Sequence, residues 1–123
     1  MARPDTVVNL AEKLAAFSDH WAPRIVGQMN ELHIKVVKVQ GEFVWHDHDH
    51  TDELFLVISG RLNIALEGGP DVWLGPGEPF IVPRGIRHRP VAESECEILL
   101  IEPAGTVNTG DAASALTASD EWI

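Results

Sequence analysis

Between residues 34 and 101 the apolar residues are divided into short β-branched or aromatic runs, at 34–39, 43–45, 54–58, 62–66, 71–74, 80–82 and 97–101. Gly41, Gly60, Gly68-Gly69-Pro70, Gly75-Pro76-Gly77 and Pro83-Arg84-Gly85 punctuate them, residue types that supply positive φ or a fixed proline φ to turns. Runs this short cannot sustain the 3.6-residue period of a core helix. They predict an all-β fold, a sandwich or a barrel. The run 54–58 is apolar on both faces, which an antiparallel strand with one wet face does not need. Its outer face must be covered by the N-terminal helix and strand or by a second copy of the chain, and a homodimer is expected.

Ahead of the strands, Leu10, Leu14 and Phe17 recur at helical spacing, and Asn9 with Glu12 three residues later makes a capping-box pattern. This predicts a short amphipathic helix within about residues 6–17, a cover rather than a site. The barrel is expected over about 25–102. Residues 103–123, rich in small and polar types, are expected to be irregular, with a short turn at 117–122 and Trp122 packed on the body. Closure of this tail over the barrel mouth is the weaker expectation.

The length of 123 residues provides for one core but not two, so one domain spanning 1–123 is expected. A net charge of -10 argues against nucleic acid and anionic membrane surfaces as partners, since both demand clustered Lys and Arg. There is no run of 18 apolar residues, and no secretory apolar core follows Met1 to Asp5. The lone Cys96 cannot form an internal disulfide, which suits a reducing compartment, and the cytoplasm is the expected location.

Chemistry concentrates in Trp45-His46-Asp47-His48-Asp49-His50-Thr51-Asp52-Glu53, which holds three of the six histidines. Side chains at i and i+2 share one face of a strand, so His46 and His48 can turn two imidazoles to one point. If the chain bends and re-enters the sheet at Glu53, a carboxylate joins them. The competing reading is an acidic, solvated loop. His20 and His33 stand alone and read as structural. Gly75-Pro76-Gly77 lacks both the helix and the lysine of a phosphate loop.

A second constellation, Gly77-Glu78-Pro79-Phe80-Ile81-Val82-Pro83-Arg84-Gly85-Ile86-Arg87-His88, places His88 behind a Pro-x-Gly turn that would aim it. Together the two stretches resemble the cupin superfamily. Its first motif matches Gly41, His46, His48, Glu53 and Gly60, and its second matches Gly77, Pro83, Gly85 and His88. Four residues separate Gly41 from His46, where the motif has about five, and Ala92 stands where the second motif usually ends in Asn. His50 offers a second His-x-His pair with His48, but only His46 and His48 keep the family's spacing to Glu53.

The resemblance implies a double-stranded β-helix, a jelly-roll barrel, holding one divalent transition metal on His46, His48, Glu53 and His88. Three imidazoles and a carboxylate suit Fe, Mn, Ni, Co, Cu or Zn without choosing among them. Arg87 and Arg89 flank His88 and would disfavour its imidazolium form if they lie near the ring; the equal alternative is that they are surface charges. By the i±2 rule Val44, Phe55 and Val57 are expected to line a mostly apolar pocket, with Ile86 and Pro90 as lesser contributors. The leading expectation is a mononuclear metal-dependent enzyme acting on a small molecule that coordinates the metal, with an oxygenase or isomerase implied by the resemblance alone. The alternatives are a non-catalytic small-molecule binding or sensor module, and a barrel without metal.

Overall fold

In the computed structural model, which describes residues 6–123, Asn9 opens helix α1 (Leu10–Ala15), its side-chain oxygen accepting the backbone N–H of Glu12. The helix is half as long as its apolar spacing suggested. Phe17 lies beyond its C-terminus yet still packs with Leu10 and Leu14 on the outside of the sheet. Eight strands follow: β1 (Arg24–Met29), β2 (Leu32–Glu42), β3 (Glu53–Ser59), β4 (Leu62–Leu66), β5 (Val72–Leu74), β6 (Pro79–Val82), β7 (His88–Pro103) and β8 (Glu121–Trp122).

The organising strand is β7. Its alternating burial is interrupted by exposed Glu93, Ser94 and Glu95, where the strand divides into two working halves. The first half pairs with β4, Leu66 against His88 and Asn63 against Val91. The second half lies between β2 and β3, with Val36 and Leu56 both opposite Leu99. Strands β3 and β4, consecutive in the chain, thus meet different halves of β7, and the sheet folds over onto itself between them. The reversal passes through Gly60, whose φ is +88° and where a Cβ would lie 2.9 Å from the Glu95 carbonyl oxygen. Only glycine satisfies both constraints.

The inward faces of β2, β3, β4 and β7 contribute Val37, Val39, Phe55, Val57, Leu62, Ile64, Cys96, Ile98 and Leu100 to one apolar core, the all-β barrel that the strand pattern called for. A second, smaller cluster of Leu14, Val26 and Val36 seats the helix outside, against Ile34 and Ile58. The helix therefore covers one corner of the outer face. Leu54, Leu56, Leu99 and Ile101 stay half-buried beyond it, and Ile81, paired with Leu54, is 54% exposed.

Three expectations need correction. Residues 43–45 are not in a strand: β2 ends at Glu42, and His46 rejoins β7 through a single bridge to His88. Glu42 pairs with Val91 and His46 with His88, so this side carries one more residue than its partner and the chain bulges there. The tail is not wholly irregular, because β8 adds to β1 in parallel, Arg24 beside Glu121 and Ile25 beside Trp122. Arg87 and Arg89 are surface charges, paired with Glu67 at 2.9 Å and Glu42 at 3.2 Å.

Candidate metal centre

His46 and His88 face one another across the bridge, each donating its backbone N–H to the other's carbonyl oxygen at 3.0 and 2.9 Å. Each ring is then fixed by a local contact, Nδ1 to the carbonyl oxygen of the residue two earlier: Val44 for His46 and Ile86 for His88, both at 2.9 Å. A protonated Nδ1 leaves Nε2 with a free lone pair, the tautomer that a metal-binding imidazole uses. His48 follows in the loop before β3, and Gly85 donates its N–H to the His48 carbonyl at 2.9 Å, tying that loop to the Pro-x-Gly turn. Glu53 is the first residue of β3, beside Val82 of β6.

These four side chains come together in the barrel interior, with one ligand-type atom from each within 4.8 Å of all the others. All are buried, at 1 to 5% exposure. Glu53 Oε1 lies 3.3 Å from His48 Nε2 and 3.5 Å from His88 Nε2, and none of the three atoms has a hydrogen-bond partner. Buried polar atoms without partners are costly, about 1–3 kcal/mol each. Three turned toward one point describe a cluster that could hold a metal ion.

Electrostatics favour the ligating forms of His46 and Glu53. Burial, helped by His88, pushes His46 down to about 4, so its imidazole is neutral at physiological pH. Burial works to raise Glu53, but the facing polar groups of His48, His88 and Glu102 outweigh it and hold the carboxyl below the usual carboxylate range. Glu102 moves the other way, well above its ordinary value, through burial and the facing Glu53 charge. The two carboxyls thus share one proton, held mainly by Glu102.

Beside the cluster, His46 and Glu53 look into a half-open cavity of about 30 Å³, walled by Trp21, Val39, Phe43, Phe55 and Leu100, with Pro90 and Asn108 among its other neighbours. Of the expected lining, Phe55 and Pro90 are there. Val44, Val57 and Ile86 are not: Val57 is spent in the apolar core, and the bulge before His46 removes Val44 from the alternation assumed for it. Trp21 was not anticipated as a wall. It adopts a left-handed φ of 60° and stacks on Phe43 at 4.6 Å.

The tail also reaches the site. A Cβ on Gly110 would lie 2.1 Å from the Asp47 carbonyl oxygen and 3.1 Å from the His46 ring, and Asp111 accepts the Asp47 N–H at 2.9 Å. Closure of the tail over the barrel mouth is the weaker expectation from small polar residues at 103–123, since backbone contacts carry it. His50 is exposed beside Asp49, His20 pairs with Glu95 at the surface at 2.7 Å, and His33 packs edge-on to Trp122. Cys96 lies in the apolar core, its thiol pushed up to about 11 by burial and the Glu97 charge.

Comparison with known proteins agrees with this architecture. The family model described as "Cupin domain" matches residues 33–102. A cupin-2 domain containing protein from Shewanella frigidimarina NCIMB 400 is 45% identical, with a TM-score of 0.77 over 79% of this chain and 94% of that one. Protein NMB1881 from Neisseria meningitidis is 29% identical, with a TM-score of 0.74 over 80% of this chain and 100% of that one. The uncharacterized protein YdbB of Bacillus subtilis (strain 168) is 31% identical over 78 residues, a match spanning 63% of each chain. The model match takes in β3 to β6 and nearly all of β2 and β7, with His46, His48, Glu53 and His88, and the chain belongs to the cupin domain family.

Proposed function

We propose that His46, His48, Glu53 and His88 hold one divalent transition metal, Fe, Mn, Ni, Co, Cu or Zn, and that the protein is a mononuclear metal-dependent enzyme acting on a small molecule that binds the metal directly. The observation that carries this is the set of buried, unpartnered His48 Nε2, Glu53 Oε1 and His88 Nε2 atoms facing one another. A metal bound there supplies Lewis acidity to an oxygen-bearing ligand. The chain's own contribution is the buried seat, the neutral His46 imidazole and a largely apolar wall.

That wall also bears on the substrate. Asn108 is the polar side chain in it besides the cluster, and its amide is fully used: it donates to the Trp21 and Leu116 carbonyls at 3.2 and 3.0 Å and accepts the Ala118 N–H at 3.0 Å. A ligand would thus meet apolar surface everywhere except at the metal. Small, weakly polar molecules carrying one coordinating oxygen suit it best. Among the described residues no titratable side chain besides His46 and Glu53 lines the cavity, so proton transfer would have to use the ligand set. That same observation supports the second reading, a module that binds a small ligand without turning it over.

Elemental analysis of protein purified without added metal tests the proposal. About one metal per chain is expected, absent from the His46→Ala, His88→Ala double variant and retained in His20→Ala and His33→Ala. Stoichiometric metal in the double variant would refute the site. Oxygen uptake or product formation across small oxygen-bearing substrates then separates enzyme from binding module.

The half-covered outer face of Leu54, Leu56, Ile81, Leu99 and Ile101 supports a homodimer, each copy covering the other's apolar sheet. Light scattering should report twice the 13.5 kDa chain mass; a monomer at high micromolar concentration would end the idea. The single, buried Cys96 is in keeping with a reducing compartment, and the cytoplasm is the proposed location.

A further inference from the structure

The barrel interior carries a second group of charged side chains with no part in the ligand set. Lys35 of β2 is 0% exposed and Glu102 of β7 is 1% exposed. The β3–β7 register, Leu54 opposite Ile101, brings Glu53 against Glu102 one step further along. The β2–β7 register, with His33 opposite Glu102 and Lys35 opposite Leu100, sets Lys35 diagonal to Glu102 on the same inward face. The Lys35 ammonium donates to Glu102 Oε1 at 2.9 Å and to Asp120 Oδ2. Asp120 immediately precedes β8, whose pairing with β1 carries it into position. A continuous row, Glu53–Glu102–Lys35–Asp120, therefore runs from the candidate metal centre to the C-terminal strand.

Stability alone is a poor reason for such a row, because apolar replacements of buried ion pairs are often neutral or stabilising. Its placement gives a better one. Glu53 turns Oε1 to the histidines, the strand register sets its side chain against that of Glu102, and Glu102 Oε2 is buried with no hydrogen-bond partner among the described residues. A ligating carboxylate needs such an outer partner to hold its orientation. Glu102 needs Lys35 to hold its own, and Asp120 balances the Lys35 charge, which leaves the Glu53 charge for a cation.

We propose that Glu102 is the positioning residue for Glu53, and that Lys35 and Asp120 lock it in place so that the C-terminal strand contributes to metal affinity. This rests on the metal-binding reading above. The variants that test it are Glu102→Gln and Glu102→Leu. Glutamine keeps an oxygen for Lys35 Nζ and an N–H for Glu53, whereas leucine keeps neither.

Co(II) affinity is measured by competition with a chromophoric chelator at neutral pH, together with the Co(II) absorption spectrum. Glu102→Leu should bind about 10- to 100-fold more weakly with an altered spectrum. Glu102→Gln should stay within about threefold of the native chain with its spectrum retained, a rescue that a merely space-filling role does not predict. The inference is overturned if a folded Glu102→Leu binds as tightly as the native chain, or if Glu102→Gln is as weak as Glu102→Leu. Should Glu102→Leu not fold, Asp120→Asn supplies the same reading: weakened binding supports the row, and native affinity overturns it. A native chain that takes no Co(II) or any other first-row metal refutes the metal reading itself, and this inference with it.

Discussion

Replacing Gly110 with alanine tests whether the C-terminal segment is seated on the His46–His48 loop as firmly as the contacts say. Gly110 has a φ of +56°, and a Cβ there would stand 2.1 Å from the Asp47 carbonyl oxygen, 3.0 Å from its carbon and 3.1 Å from His46 Cδ2. The left-handed conformation costs a non-glycine residue about 1–2 kcal/mol. Overpacking adds about 1–3 kcal/mol, and the struck atoms are largely backbone that cannot swing aside. Gly110→Ala should therefore cost about 2–5 kcal/mol. Gly105→Ala is the matched control: the same segment and a φ of +85°, but nothing within 4 Å of the new Cβ. It should show the conformational cost alone, about 1–2 kcal/mol.

Urea unfolding of the chelated protein reads both. With a slope of about 1–3 kcal/mol per molar urea, the Gly110→Ala midpoint should fall by roughly 1 M or more. The loss should include the Asp47–Asp111 hydrogen bond, which the displaced segment can no longer make. Gly110→Ala no more costly than Gly105→Ala would refute the packing of the tail against His46.

Two further outcomes follow from the site. The folded pKa of His46, about 4, lies below its value of 6.5 when unperturbed, so the unfolded chain takes up the proton first. Its contribution is intact above pH 6.5 and is lost as pH falls toward 4, by at most about 3 kcal/mol. Glu102, raised in the fold, acts oppositely above the ordinary carboxylate range, so the quantity to follow is the stability difference between the chelated native chain and His46→Asn. That difference should shrink on acidification, and a flat profile would contradict a buried neutral imidazole. Phe55→Ala, at a position 3% exposed beside the cavity, should cost about 3–5 kcal/mol and open a void that a small aromatic such as phenol fills. Thermal unfolding with and without phenol checks this, and no rise in Tm specific to the variant would count against Phe55 as a cavity wall.

Local pattern determined much of this molecule. The division into short runs specified strands, because a two-residue period is written into each run separately. Asn9 and Glu12 marked the helix start, because a cap is a contact within one turn. His46, His48, Glu53 and His88, singled out by motif spacing, are the four side chains the barrel brings within 4.8 Å. Tertiary structure alone decided the rest. Lys35 reads in the sequence as one more polar residue of a strand. Only the register of β2, β3 and β7 reveals that its inward face ends in a buried row of ionisable side chains leading to Glu53. The bulge at 43–45 removed Val44 from the cavity, since one extra residue resets an alternation that spacing arguments take as unbroken. The tail reached His46 through glycine and backbone oxygens, and β8 joined β1 through main-chain hydrogen bonds. Interactions carried by the backbone leave almost no mark on side-chain identity, which is why the closing of the site over His46 is visible only in the folded chain.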